Sequence, residues 1–277
     1  MFEEIIGHEE QIEMLKGSLK TKSISHAYLF SGKKGIGKCT VAFEFAKGIL
    51  NTDNLASCPD FKYICKNEEK RDLVIEQIRK EIIDDVYIAP ASSQKKVYII
   101  DDAESINIAA QNALLKTLEE PPKYIVIILI AQNVNNLLTT ILSRVNTINF
   151  DGISSDKLKR YLHKRLNISL SDSIIDFLNG SIGLAVNLIE ESKLEELKEV
   201  ELLYDKLVGK NDIESLLCTS NINFNNLINL EYLEYMLYLN GKYFCVKFVE
   251  KARNRLKNNG NYDIVIDNMI LKIIDHI

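Results

Sequence analysis

The stretch HAYLFSGKKGIGKCTVAFEFAKGIL, residues 26–50, carries three signals in succession. HAYLF is an apolar, β-rich run of the kind that forms a buried strand. A turn with glycines at 32, 35 and 37 follows and ends in Lys38, and KCTVAFEFAKGIL then has helical spacing. Strand, Gly-rich turn and helix in that order make a phosphate-binding loop. The glycines let backbone N–H groups face a polyphosphate, the helix offers its positive end, and Lys38 adds a point charge. One part departs from the pattern. Cys39 stands where Ser or Thr normally places a hydroxyl on Mg²⁺, and a thiol is a poor ligand for that hard cation. Thr40 is one position late, about 100° around the helix, so it is not a simple substitute.

Working outward, FKYIC (61–65), KVYII (96–100), YIVIILI (124–130) and NTINF (146–150) read as further strands. LVIEQIRKEII (73–83) and INIAAQNALLKTLEE (106–120) have helical spacing, the latter stopped by Pro121-Pro122. Alternating strands and helices predict an α/β domain with a parallel sheet covered on both faces, over residues 1–150. After Asp151-Gly152 the strand signals stop. SSDKLKRYLHKRL, SLSDSIIDFLNG and GLAVNLIEES predict a small helical domain over 151–193, and 194–277 reads helical throughout.

Bulk properties narrow the function classes. A net charge of -5 excludes a strongly basic free-standing nucleic-acid binder, though not a local basic patch within an assembly. The acidic start MFEEIIGHEE predicts no export signal. The longest apolar run, YIVIILIA (124–131), is far short of the roughly 20 residues that span a bilayer, so a soluble cytoplasmic protein without membrane contact is expected. The five cysteines are an odd number without paired spacing, which predicts reduced thiols.

Two more stretches carry chemistry. VYIIDDAE delivers Asp101 and Asp102 at the carboxyl end of a strand, where ligands bind in open α/β sheets. In a P-loop motor the first carboxylate holds the metal and the next acidic residue, commonly Glu, polarises water. Asp102 is one methylene shorter, and the plainer reading of both is solvated strand-end carboxylates. In LLTTILSRV, Arg144 is either an ordinary surface cation, which the residue pattern by itself favours, or an arginine finger for a neighbouring chain's γ-phosphate, worth about 10³ to 10⁵ in rate. His8, His26, His163 and His276 are scattered and lack companions for catalysis. Tyr28 and Phe30 read as core. The basic helix LKRYLHKRL (158–166) reads as a solvated face, with contact to DNA phosphates or a neighbouring subunit as the alternative.

Together, ISHAYLFSGKKGIGKCT, VYIIDDAESINIAAQNALLKTLEEPP, NNLLTTILSR and VEKARNRLKNN resemble the delta prime family of bacterial DNA polymerase III clamp-loader subunits, from IIGHEEQIEMLK to the C-terminal helices. The resemblance implies a AAA+ fold: an N-terminal P-loop α/β domain (1–150), a small helical lid (151–193) and an all-α collar (194–277) that joins a five-membered ring. It places Ser143 and Arg144 on the family's Ser-Arg-Cys motif, whose Arg acts in trans, and Asn133 on its polar sensor position. It implies as partners the gamma/tau motor and delta wrench subunits, the sliding clamp, and primed DNA through the assembly.

Departures from the family pattern sharpen the expectation. The motif's Cys is Val145 here, which costs only packing, and Leu184 stands where active relatives often carry a basic sensor. Many relatives have a four-Cys zinc module; Cys58 and Cys65 are too few for one, so no zinc is expected. Cys39, Asp102 and Leu184 together predict a degenerate nucleotide site, with Gly32, Gly35, Gly37, Lys38, Cys39 and Thr40 as its loop. No cofactor is fixed by this reading; ATP with Mg²⁺, held without efficient turnover, is the one left open. The expected function is a stator-like loader subunit with little or no ATPase of its own. The alternative is a gamma/tau-like motor that hydrolyses ATP.

Overall fold

The computed structural model describes residues 1–65, 78–210 and 212–277, with the side chains of 79, 80 and 212 left aside. The chain divides into two compact units, one of residues 1–169 and 179–184, the other of 170–178 and 185–277.

The first unit begins with α1 (Glu9–Thr21), β1 (Ala27–Ser31), α2 (Lys38–Leu50), β2 (Phe61–Ile64) and β3 (Lys96–Ile100). It continues with α3 (Ile108–Glu119), β4 (Ile125–Ala131), the short α4 (Thr139–Leu142), β5 (Asn146–Asn149) and α5 (Ser155–Leu166). The five strands form one parallel sheet in the order β2-β3-β4-β1-β5. Every expected strand is present within a residue of its expected limits. Of the helix expected at 73–83, residues 73–77 lie outside the described residues, and Arg79–Ile83 is a single π-helical turn.

β4 shows why the sheet must be covered on both faces. All seven of its residues are buried; Ile125, Ile127, Leu129 and Ala131 point to one side, and Val126, Ile128 and Ile130 to the other. Ala110, Leu114 and Leu118 of α3 pack on the first side with Ile78 and Ile82. Leu15 of α1 and Val41, Phe45 and Ala46 of α2 pack on the second, where Tyr28 and Phe30 of β1 lie as core residues. Each such aliphatic or aromatic side chain, fully buried, contributes about 1.5–3 kcal/mol. The expected α/β domain followed by helices is therefore the observed architecture.

Two carboxylates anchor the far end of the sheet. Asp85 pairs with Lys96 at 3.1 Å, whose side chain is almost fully buried, and accepts the Tyr98 hydroxyl at 2.7 Å. Burial opposes the charge on Asp85, but the Tyr98 and Lys96 hydrogen bonds and the charges of Lys62 and Lys96 hold its carboxyl below the ordinary carboxylate range. Asp60, just before β2, accepts the backbone N–H groups of Ala91, Ser92 and Ser93 at 2.6–2.7 Å and the Ser92 hydroxyl at 2.9 Å.

The second unit is helical. It holds α6 (Asp172–Leu178) and most of α7 (Ile182–Glu190), then α8 (Leu194–Val208), α9 (Asp212–Cys218), α10 (Leu227–Leu239), α11 (Tyr243–Lys257) and α12 (Tyr262–Ile274). The run 194–277, expected to be helical throughout, is interrupted between α10 and α11 at Asn240–Lys242, where Gly241 takes φ 74°. Glu201 ties the unit together by accepting the hydroxyls of Ser171 and Tyr232, both at 2.6 Å. No single helix among the described residues is long and apolar enough to cross a membrane.

Asp60→Ala should lower stability in a urea titration by about 2–3 kcal/mol, because three N–H groups lose a charged acceptor. Burial alone would raise this carboxyl's pKa, but those hydrogen bonds outweigh it and lower the folded value. Its contribution is therefore complete above the unfolded pKa near about 4 and disappears as pH falls through the lower folded value. The gap between wild type and variant should accordingly close only on acidification below about pH 4.

Candidate functional site

The loop between β1 and α2 is fixed at both ends and braced from behind. Its first residue, Gly32, has φ 149°, and a Cβ there would lie 2.3 Å from the Phe150 carbonyl oxygen, so no other residue fits without a backbone shift. His8, buried and edge-on to Phe150, places Nε2 2.7 Å from the Ile36 carbonyl, to which the ring donates. The Gly183 N–H, in the first turn of α7, donates to the Gly35 carbonyl at 2.8 Å. Backbones come this close because neither residue has a side chain; a Cβ on Gly183 would stand 2.8 Å from the Gly35 Cα. The Ser181 hydroxyl donates to the Lys34 carbonyl at 3.1 Å and accepts the Leu184 N–H, also at 3.1 Å. Leu184 thus sits beside the loop with no charge to offer a phosphate.

Gly37 begins α2 in a left-handed conformation without a side-chain cap, which leaves the first-turn N–H groups directed at the loop. Lys38 is only 5% exposed and donates to the Gly32 and Lys33 carbonyls, each at 2.6 Å. Burial lowers its pKa below the usual lysine value, against the opposing charges of Asp101, Glu104 and Asp102. Thr40 is exposed and lines a separate surface cavity of about 400 Å³ with Glu44 and Thr52, away from the loop.

The cation side of the loop differs from that of a P-loop motor. The Cys39 thiol donates to the Tyr63 hydroxyl oxygen at 3.9 Å, and Tyr63 donates to Asp101 Oδ2 at 2.9 Å. Asp101 Oδ1 accepts the Asp102 N–H at 2.9 Å. Burial and then the Asp101 charge push the Cys39 thiol up to about 12, so it stays protonated at neutral pH. Burial also raises the Tyr63 pKa, helped by the neighbouring Cys39 and Asp101. Mg²⁺ asks for near-octahedral oxygen ligands. A protonated thiol, a carboxylate engaged on both oxygens and a hydroxyl placed between them do not fit that demand, whereas the glycines, the uncapped helix start and Lys38 suit an anion.

Asp102 adopts a left-handed backbone, φ 48°, and opens the 3₁₀ turn Ala103–Ser105. Its Oδ1 lies 3.5 Å from Gln132 Nε2, while the Gln132 N–H donates to Glu104 Oε1 at 2.9 Å. Glu104 adds a third carboxylate to this edge. Asn133 does not reach across the site; its side chain accepts the Asn135 N–H at 3.0 Å and caps the turn Val134–Asn136.

Arg144 and Ser143 form a second cluster after α4. Arg144 Nη1 donates to the Thr140 carbonyl at 2.8 Å and to the Ser143 hydroxyl at 3.1 Å, and Nη2 pairs with Glu119 at 2.8 Å. The guanidinium side chain keeps 33% of its surface exposed. Val145 packs against the core, so the residue after the arginine has a structural part. Four residues emerge that sequence reading passed over: Tyr63, Glu119, His8 and Gly183. Each acts through a contact distant along the chain. Glu119 lies inside the quoted NALLKTLEEPP segment and His8 inside IIGHEEQIEMLK, but neither stretch discloses its partner.

Cys58 is half-buried and Cys65 exposed, and among the described residues no three or more His, Cys, Asp or Glu are grouped to hold a metal ion.

Comparison with known proteins gives this arrangement a context. A family model described as DNA polymerase III, delta subunit matches residues 7–154, just over half of the chain. The DNA polymerase III subunit gamma of Buchnera aphidicola subsp. Schizaphis graminum is 29% identical across 98% of this chain and 88% of its own length. The protein of that name from Buchnera aphidicola subsp. Acyrthosiphon pisum is 34% identical across 69% of this chain, which spans 58% of it. Among solved structures, a DNA polymerase III gamma subunit-related protein from Thermotoga maritima superposes with a TM-score of 0.59 at 21% identity, covering 96% of this chain and 99% of that one. That likeness bears on fold alone, an α/β domain with a five-stranded parallel sheet followed by helices. On the family match and the parallel-sheet architecture that carries it, the chain belongs to the DNA polymerase III, delta subunit family of clamp-loader proteins.

Proposed function

We infer that this chain is the delta prime, stator-like member of a DNA polymerase III clamp loader, a subunit that presents Arg144 to ATP bound on an adjacent motor subunit and turns over little or none itself. The observation that carries this reading is the state of Arg144. Its guanidinium is held by Thr140, Ser143 and Glu119 yet remains one-third exposed, so it is oriented in advance and still reachable. A finger must satisfy both conditions. Orientation lowers the entropy lost on engaging a phosphate, and exposure lets a neighbour's nucleotide approach. The chain's own loop points the same way, since Cys39 and Leu184 supply neither a metal oxygen nor a γ-phosphate cation. In this reading residues 151–193 serve as lid and 194–277 as the ring-forming collar, with gamma/tau and delta subunits, the sliding clamp and primed DNA met through the assembly in the cytoplasm. Asn133 keeps a sensor role only through its turn.

A second reading has specific support. The relatives matched over most of this chain bear the name gamma, which favours a motor subunit that hydrolyses ATP on its own loop. The isolated chain separates the two. Incubated with ATP and Mg²⁺, it should release phosphate no faster than a Lys38→Ala variant; release clearly above that control establishes the motor.

In a reconstituted loader, Arg144→Ala should slow ATP turnover at the facing site by about 10³-fold, and Arg144→Lys should not rescue it because an ammonium lacks the bidentate fork. Unchanged DNA-stimulated turnover would remove the finger role. Glu119→Gln should change the chain's melting behaviour little, since an ion pair this exposed is worth no more than about 1 kcal/mol.

A further inference from the structure

Tyr63 stands near the carboxyl end of β2, opposite Ile99 of β3. Its hydroxyl joins two residues from different elements, accepting from the Cys39 thiol at 3.9 Å and donating to Asp101 Oδ2 at 2.9 Å. In a working P-loop site those two positions, the residue after the lysine and the carboxylate at the strand end, share the divalent cation. We propose that Tyr63 is the group that excludes a divalent cation from this loop, so that any nucleoside polyphosphate taken there is held without metal.

Three features of the arrangement support this. The tyrosine oxygen bridges the thiol and the carboxylate in a single step, filling with a neutral O–H the place that a cation would need between its two ligands. Both Asp101 oxygens already accept a hydrogen bond, Oδ1 from the Asp102 N–H and Oδ2 from the phenol, so a cation on the Cys39 side would compete with the phenol for Oδ2. The ring, 40% exposed, is tilted against Phe43 of α2 with centroids 5.0 Å apart, a contact that favours this placement of the hydroxyl. Restoring a hydroxyl at position 39 is therefore not enough to rebuild a cation site while the phenol remains.

This inference rests on the lapsed-loop half of the function proposed above and makes no use of Arg144, so failure of the finger role leaves it standing. The test is equilibrium binding of a fluorescent ATP analogue, in EDTA and in Mn²⁺, to the wild-type chain, Cys39→Thr, Tyr63→Phe and Cys39→Thr/Tyr63→Phe. Wild type and Cys39→Thr should behave alike in the two buffers, within about twofold and including no binding in either. The double variant should tighten by about tenfold or more in Mn²⁺. Thermal melts of the four proteins, with and without Mn²⁺ and analogue, report on folding and should show a metal-dependent rise for the double variant alone. The proposal is overturned if the wild-type chain already tightens about tenfold with Mn²⁺, or if a folded double variant responds no more than Cys39→Thr.

Discussion

The pairing of β1 with β4 on one side and β5 on the other is the constraint from which the site follows. The ladder does not end with the strand: the Gly32 N–H still donates to the Ala131 carbonyl at 3.2 Å, and the Phe150 N–H donates to the Ser31 carbonyl at 2.7 Å. The chain thus leaves the sheet between two neighbours, and the Phe150 carbonyl of one of them permits no Cβ at position 32. The register Ser31↔Ala131 and Ser31↔Asn149 brings the three strand ends level, so the glycine loop and the Gln132 turn emerge at one edge. β3 pairs on the far side of β4 and delivers the carboxylates of residues 101 and 102 there too. Buried hydrocarbon on both faces holds the ladder, and the ladder fixes where polar groups can meet.

At that edge, chemistry is decided by which charges have partners. Lys38 faces three carboxylates and two carbonyls, and burial already disfavours its proton. The loop retains the backbone donors that any anion needs, while a thiol, a phenol and a hydrogen-bonded carboxylate occupy the side where a cation would be bound. Those properties separate cleanly because they come from different parts of the chain: donors from glycine conformations and a helix start, the cation side from side chains on β2, β3 and α2. Substitution at one can spare the other.

Much of the fold could be read in the residues because the signals are local. The run 125–131 is too short and too β-branched for a helix, and the glycines at 32, 35 and 37 between a strand and a helix admit few structures. Tyr63 was invisible for the opposite reason: its partner Asp101 lies 38 residues along the chain, and a tyrosine at a strand end ordinarily signifies nothing. His8 reads as a solitary histidine in the sequence, yet it supports a loop carbonyl 28 residues away, a role that needs no catalytic companion. Asn133 illustrates a third case, since its short side chain finds an acceptor role two residues on, and local capping competes with any reach across the site.

In the proposed finger role, the Arg144–Glu119 pair would give docking an unusual thermodynamic form. A lone guanidinium that met a phosphate would have to shed water and gain an anion in one event. Here it already neighbours an anion on the same surface, so engagement in that role would exchange one oxyanion for another, starting from a guanidinium already hydrogen-bonded to Thr140 and Ser143. Such an exchange releases a carboxylate into solvent, and dissolved ions weaken the parked and the docked states in similar measure. Ionic strength then shifts the choice between them less than it would shift the capture of a free cation.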